Sequence, residues 1–457
     1  MDLPDSAFIR VINRRQVLAL AFGAMVGWSW VALTGVWIAG AGALGAMLAF
    51  GIGGAIVIFV GLTYAELAAA MPLVGGEHVY SHRALGRTAS FVCTWAILLG
   101  YASVVAFEAV ALPTVLEYLV PGFSRGYLWT IAGWDVNVTW VLTGALAAVV
   151  MTVINILGIR TAARLQALVV VIVLLSGLGL FSGAVVAGDT GNAAPLFSGG
   201  LAGMLSVLVM VPFMFVGFDV IPQSAEEIDL PFAAIGRLLV VSILLAIIWY
   251  ALVIGAVAMA LPASERAISA LPTADAAAAL FSGSWAGKLL VIGGIAGILT
   301  SWNAFLIGGS RALYALAKAG QVPSTFAALH PRYRTPHHAV LLVGGLAVFA
   351  PLFGRPAMVW LVDAGGLGIV TAYAMVALSF LVLRAKEPDM DRPYRVRHGK
   401  LVGYLAFVLS LALASLYLPW SPAALLWPHE WLIVIGWCVL GALFQWFSAT
   451  RSRARLD

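Results

Sequence analysis

Residues 211–227 read VPFMFVGFDVIPQSAEE, and they decide the fold. This run is apolar enough for a bilayer, yet Gly217 stands in its middle, Asp219 two positions later and Pro222 beyond. Glycine and proline are poor interior residues of a continuous helix, and an ionisable side chain in hydrocarbon needs a cavity or a partner. The stretch predicts a membrane helix broken in mid-span. A second such stretch lies near the start: residues 21–35, AFGAMVGWSWVALTG, with Gly23 and Gly27 at mid-depth. Interrupted helices at corresponding places in two halves of a chain point to a transporter's binding site.

The rest of the chain supplies the membrane protein around these breaks. Of 457 residues, 62% are hydrophobic and 10% charged; soluble chains run about 45–50% and about 25%. Runs of roughly 20 apolar residues have the length of spanning helices, and the alternating pattern of a barrel is missing. The runs lie at approximately 16–41, 44–72, 89–120, 139–157, 163–187, 201–225, 235–261, 285–317, 337–353, 358–383, 402–419 and 427–448. The predicted fold is therefore an all-α polytopic membrane protein with about twelve transmembrane helices. The broken runs are the first and the sixth, five apart. This fits a five-plus-five inverted repeat, with a transporter core over 16–383 and repeats over about 16–187 and 201–383. A tail (1–15), a loop (384–401), two further helices (402–448) and a second tail (449–457) complete the organisation. Residues 73–88, LVGGEHVYSHRALGRT, are Gly-rich and then amphipathic, and are expected to lie along one face.

Charge orients the molecule. With the N-terminus inside, only Arg125, Arg266, Lys288 and Arg355 of the 25 basic residues fall outside. The positive-inside rule then puts both termini in the cytoplasm, for a multi-pass protein of the plasma (inner) membrane. The basic residues serve as an orientation signal, so no nucleic-acid partner is implied. The first apolar run follows Arg10, Arg14 and Arg15 and is too long for a cleavable signal. Cys93 and Cys438 both fall in apolar runs and imply no disulfide framework. An enzyme is not indicated: HExxH, GxSxG and a phosphate loop are all missing from the sequence. Nor are the repeated charged rings of a channel visible. His78 and His82 stand at helical spacing with Glu77, but two histidines and one carboxylate lack a convincing fourth ligand for a metal.

Three groups of residues carry a family resemblance. Tyr64-Ala65-Glu66-Leu67, Pro72, Gly75-Gly76 and Tyr80 form the first. Phe215-Val216-Gly217-Phe218-Asp219 with Ala225-Glu226-Glu227 form the second. The third is Asn303, Ser310-Arg311, Leu313-Tyr314-Ala315-Leu316, Gly320, Pro323, His330 and Thr335-Pro336. In order and spacing, over roughly 16–385, they resemble the second-span, sixth-span and eighth-span signatures of the amino acid–polyamine–organocation (APC) permeases. The resemblance implies the inverted-repeat (LeuT-like) fold of sodium-coupled amino acid transporters. It also implies alternating access by rocking of a bundle of spans one, two, six and seven.

Broken helices have a specific chemistry. One half-helix end presents N–H groups that attract anions, the other C=O groups that attract cations. An amino acid zwitterion matches both. Its carboxylate is expected on the amides around Gly27, Trp28 and Ser29, and its ammonium near the carbonyls of Gly23, Met25, Val26 and residues 213–216. By resemblance, Phe213 and Phe305 cover the substrate, and Phe215, Gly217 and Asn303 belong to the same site. The family has two small residues after the first glycine of the break. Here Trp28 and Ser29 stand there, and an indole in the cradle would narrow it. Asp219 and Glu108, the latter in VVAFEAVALP, are intramembrane carboxylates. Each either contacts a substrate amine or carries a coupling proton, or else is structural: Asp219 as a cap, Glu108 as a partner of a neighbouring hydroxyl.

Several sodium-independent members carry a lysine in span five, where this chain has Val173. Matching the sodium-coupled relatives gives a candidate sodium site of Gly23, Val26, Gly297, Thr300 and Ser301. No cofactor is expected beyond Na+ or H+ as coupling ion. The function read from the sequence is a secondary active importer of amino acids. The alternatives are an amine or polyamine permease and an obligate exchanger. The partners are a small-molecule substrate and the lipid bilayer.

Overall fold

The computed structural model describes residues 12–453, with their side chains except those of 159–168, 232 and 449–453. Its first apolar run is a bent pair, Arg14–Ala32 and Thr34–Ala41, meeting at 66° (span 1). There follow Ala43–Ala70 (span 2), Arg87–Leu119 (span 3), Val138–Ile156 (span 4), Ile159–Ala187 (span 5), the interrupted Gly200–Gln223 (span 6) and Phe232–Ala260 (span 7). Ser284–Lys318 (span 8), the short apolar helix His337–Phe353 (span 9), Ala357–Lys386 (span 10), Gly399–Leu416 (span 11) and His429–Arg453 (span 12) complete the set. Among the described residues ten helices, or eleven with the bent pair, are long and apolar enough to cross a bilayer; span 9 is the remaining apolar helix of the expected twelve. The last helix runs on to Arg453, past the expected end at 448.

Spans 3 and 8 are the central staves, and span 12 is almost wholly lipid-facing. Small residues set the close approaches. Span 2 meets span 7 at Gly54 and Gly61, where Ile247 and Ile243 fill the space a Cβ would take. The amphipathic segment forms the short helix Glu77–Leu85. Between spans 3 and 4 the chain makes a hairpin that the spans did not foretell: strands Tyr127–Ile131 and Trp134–Asn137, turned by Ala132 and Gly133, both with positive φ.

The arginine-rich face is knotted by buried ion pairs. Glu66 accepts from Arg384 Nε (2.9 Å) and the Val396 amide (2.7 Å) and forms an ion pair with Arg392 (3.0 Å), which fastens the 384–400 loop to span 2. Arg311 of span 8 donates from Nε to Glu227 Oε1 at 2.8 Å, both side chains almost fully buried. The same Glu227 accepts the Ile12 amide at its backbone carbonyl (3.0 Å), and Ile12 in turn accepts from Asp229 N (3.0 Å). The entry to span 1, the end of span 6 and span 8 are thus tied together. Outside the spans, Arg83 donates to Glu387 at 2.6 Å and holds that carboxyl below the usual range.

Candidate functional site

Both expected breaks are present. Span 1 is helical over Arg14–Met25 and again over Ser29–Ala32, with 26–28 irregular between. Span 6 is helical over Val211–Phe215, then Val216 is extended (φ −61°, ψ 140°), Gly217 takes φ +134°, and the helix resumes at Val220. The breaks touch. A Cβ on Gly217 would lie 2.6 Å from Ala24 Cβ and 2.9 Å from Met25 N. Only a glycine allows both the backbone turn and this approach.

The C=O ends are held by a residue the sequence reading did not single out. Tyr250 of span 7, fully buried, donates to Met25 O at 2.6 Å, and Met214 O lies 3.3 Å from the same hydroxyl. Ser29 Oγ completes the cluster, 3.1 Å from Tyr250 Oη. One phenol thereby bridges the ends of both broken helices. Its signal in the sequence is a lone tyrosine in an apolar run, IIWYALVIG.

The N–H side is occupied by the protein's own carboxyl. Glu108, on span 3 and 2% exposed, accepts from Ser301 Oγ of span 8. The Trp28 amide faces it from the break. A Cβ on Gly27 would lie 2.8 Å from Glu108 Oε1 and 2.5 Å from Ser301 Oγ. Across the gap, a Cβ on Gly297 would lie 2.5 Å from Gly27 O. Glu108 Oε2 is buried and makes no hydrogen bond. The Trp28 indole does not fill the cradle. It turns onto span 8 and covers Gly294, and Trp30 packs edge-on against Trp249, with 5.3 Å between ring centroids.

Asp219 is spent on the span 6 break. Its Oδ1 accepts the Gly217 amide (2.6 Å) and its Oδ2 the Tyr101 hydroxyl of span 3 (2.6 Å). It braces the break from within and does not cap the resumed helix, since its side chain takes no N–H of Val220–Gln223. Phe305 lies against Tyr101 (5.4 Å) and Phe213 against Phe107 (5.9 Å), both beside span 3. Phe215 points elsewhere, into Phe50 and Tyr250. Asn303 is fully buried on span 8. Of the candidate sodium set, Thr300 donates to Gly297 O within its own helix (2.8 Å), and Ser301 is committed to Glu108. Val173, at the position of the span-five lysine, is buried.

Toward the basic face lies a polar cluster: the sequence reading met Glu77 beside the histidines and Tyr64, Tyr80 and Phe218 as signature residues, but not Tyr373. Glu77 accepts from Gln223 Nε2, one turn below Asp219. Tyr64 packs edge to face on Tyr80, Phe218 and Tyr373, and Phe218 lies tilted on Tyr373, with centroids 5.3–6.5 Å apart. The hydroxyls of Tyr80 and Tyr373 are buried without a hydrogen-bond partner.

Comparison with known proteins agrees with this architecture. A family model described as amino acid permease matches residues 12–444. A branched-chain amino acid permease of Bacillus subtilis is 26% identical over 415 residues, 90% of this chain and 88% of the relative. A methylthioribose transporter of the same organism is 23% identical, covering 99% and 96%. An aspartate–proton symporter, again from Bacillus subtilis, is 27% identical, covering 88% and 78%.

Proposed function

This chain belongs to the amino acid permease family, and from that premise we propose that it is a proton-coupled secondary transporter of amino acids. The substrate binds where the breaks of spans 1 and 6 meet, the termini are cytoplasmic, and the membrane is the plasma membrane. The observation that carries this reading is the Glu108 carboxyl held by Ser301 at the Trp28 amide. A substrate carboxylate seeking the same amide meets a carboxyl already there. Two carboxylates in contact cannot both be ionised. With Glu108 in place, binding an amino acid at that amide requires Glu108 to hold a proton, and this links proton uptake to substrate uptake. The name of one relative, an aspartate–proton symporter, agrees with this coupling ion.

The test is uptake into proteoliposomes across an imposed pH gradient, with sodium or choline as the salt. Wild-type uptake is expected to rise with an inward proton gradient, and Glu108→Gln to remove that dependence. A variant that keeps the wild-type pH profile would sink the proton reading. Thr300→Ala with Ser301→Ala checks the sodium alternative. On the proton reading, replacing sodium by choline changes neither the wild type nor this double variant. A sodium requirement that the double variant loses would instead support the sodium site of Gly23, Val26, Gly297, Thr300 and Ser301.

A second reading follows from the same contact. If Glu108 stays in the cradle throughout the cycle, the site takes an amine without a carboxylate. Thermal stabilisation by amino acids and by their decarboxylated counterparts separates the two. A ligand at a hundred times its dissociation constant adds about 2.7 kcal/mol. Stabilisation by the amines alone would favour the amine permease.

A further inference from the structure

Away from the breaks, spans 1, 5 and 7 leave between them a groove of about 650 Å3. Its walls are apolar, among them Leu18, Phe22, Leu174, Phe181, Leu245 and Trp249. Among the described residues a single charged one borders it, Arg15, on the first turn of span 1 at the basic face. Arg15 is exposed, and among the described residues it makes no ion pair with a carboxylate. The span 7 wall is itself open to the membrane: Leu245, Ile248 and Leu252 are 44%, 56% and 47% exposed.

We propose that this groove seats one acyl chain of an anionic phospholipid, with the phosphate on Arg15. The occupant has to be apolar along its length, because no other described residue of the lining is charged. It has to be anionic at the basic-face end, because an arginine at the membrane surface attracts negative headgroups. A free phosphate meets the second condition and not the first, and a neutral lipid the first and not the second. The groove is bounded by the half-helix Arg14–Met25, which ends at the span 1 break. A lipid lying there props that half-helix against spans 5 and 7, so its presence bears on how freely the half-helix moves.

The experiment uses the full chain in nanodiscs of dioleoylphosphatidylcholine, with or without dioleoylphosphatidylglycerol. After transfer to mild detergent, retained lipid is counted by native mass spectrometry. Retention of about one phosphatidylglycerol per chain is expected, in preference to phosphatidylcholine. Arg15→Gln should lower it about fivefold, the effect of one arginine near an anionic surface. Arg15→Lys should restore it. Leu174→Trp, which fills the groove and leaves the arginine in place, should also lower it, with thermal stability as the check on folding. Equal retention of the two lipids, or unchanged retention in Arg15→Gln, would mean annular lipid only and would overturn the proposal. The readout does not depend on which solute is carried, so it stands or falls apart from the transport reading.

Discussion

Gly217→Ala is expected to abolish transport in a protein that still inserts into the membrane. The position demands φ +134°, which side-chain-bearing residues rarely adopt, and that strain costs about 1–3 kcal/mol. The new methyl would also meet Ala24 Cβ at 2.6 Å and Met25 N at 2.9 Å, so the two half-helices must part. Overpacking of this kind adds about 1–3 kcal/mol. Because the clash is with backbone, no rotamer change relieves it. The loss falls on the seam where both breaks meet and where Tyr250 bridges their carbonyls. Uptake by the purified, reconstituted variant, with its melting temperature, checks the point. Full uptake at unchanged stability would show that the seam tolerates separation and that the breaks are not where the substrate is held.

Arg311→Met is the second large effect. It strips Glu227 of a cation inside the fold, where both partners are 2% exposed. Breaking one member of a buried pair costs about 3–5 kcal/mol, since a charge is left in low dielectric with no counter-charge. That pair closes the face proposed as cytoplasmic. The variant should therefore lose stability and open that face, which a cysteine-labelling assay on span 6 would detect as increased access. Glu227→Gln combined with Arg311→Met removes both charges and should recover much of the stability. If the single variant melts like the wild type, the pair does not hold the closure.

Much of this architecture was legible from local pattern. The length and composition of the runs gave the spans, and Gly217 marked a break because Asp219 and Pro222 stand beside it, whereas glycine alone, as at Gly54 and Gly61, also serves close packing. What escaped was the identity of partners distant in the chain. Asp219 was visible as an ionisable group in an apolar run, but its work as a brace of the break depends on Tyr101, 118 residues away. Glu108 and Ser301 are 193 residues apart, and no spacing rule joins them. Trp28 looked like an obstruction in the cradle, because its bulk is local information. That it turns onto Gly294 is a property of span 8. Tyr250 had no motif around it. The hairpin did carry a signal, the two-residue turn Ala132-Gly133 between Tyr127–Ile131 and Trp134–Asn137, but it lay in a loop where only the span ends were sought.

The knot at Ile12 bears on how the protein leaks. Ile12 pairs with the backbone of 227–229, Glu227 reaches Arg311, and Glu226 accepts the Val74 amide at 3.1 Å. The Ile12, Glu227 and Arg311 bonds share residues and the Glu226 bond adjoins them in the chain, so loosening one strains the others, and Glu227 and Arg311 lie where unpaired polar groups are expensive. A half-released seam is then the least populated arrangement. Single molecules labelled across this face should switch between two separations rather than drift through a continuum, and solute slipping past without the proton proposed to accompany it should be rare while the knot is intact.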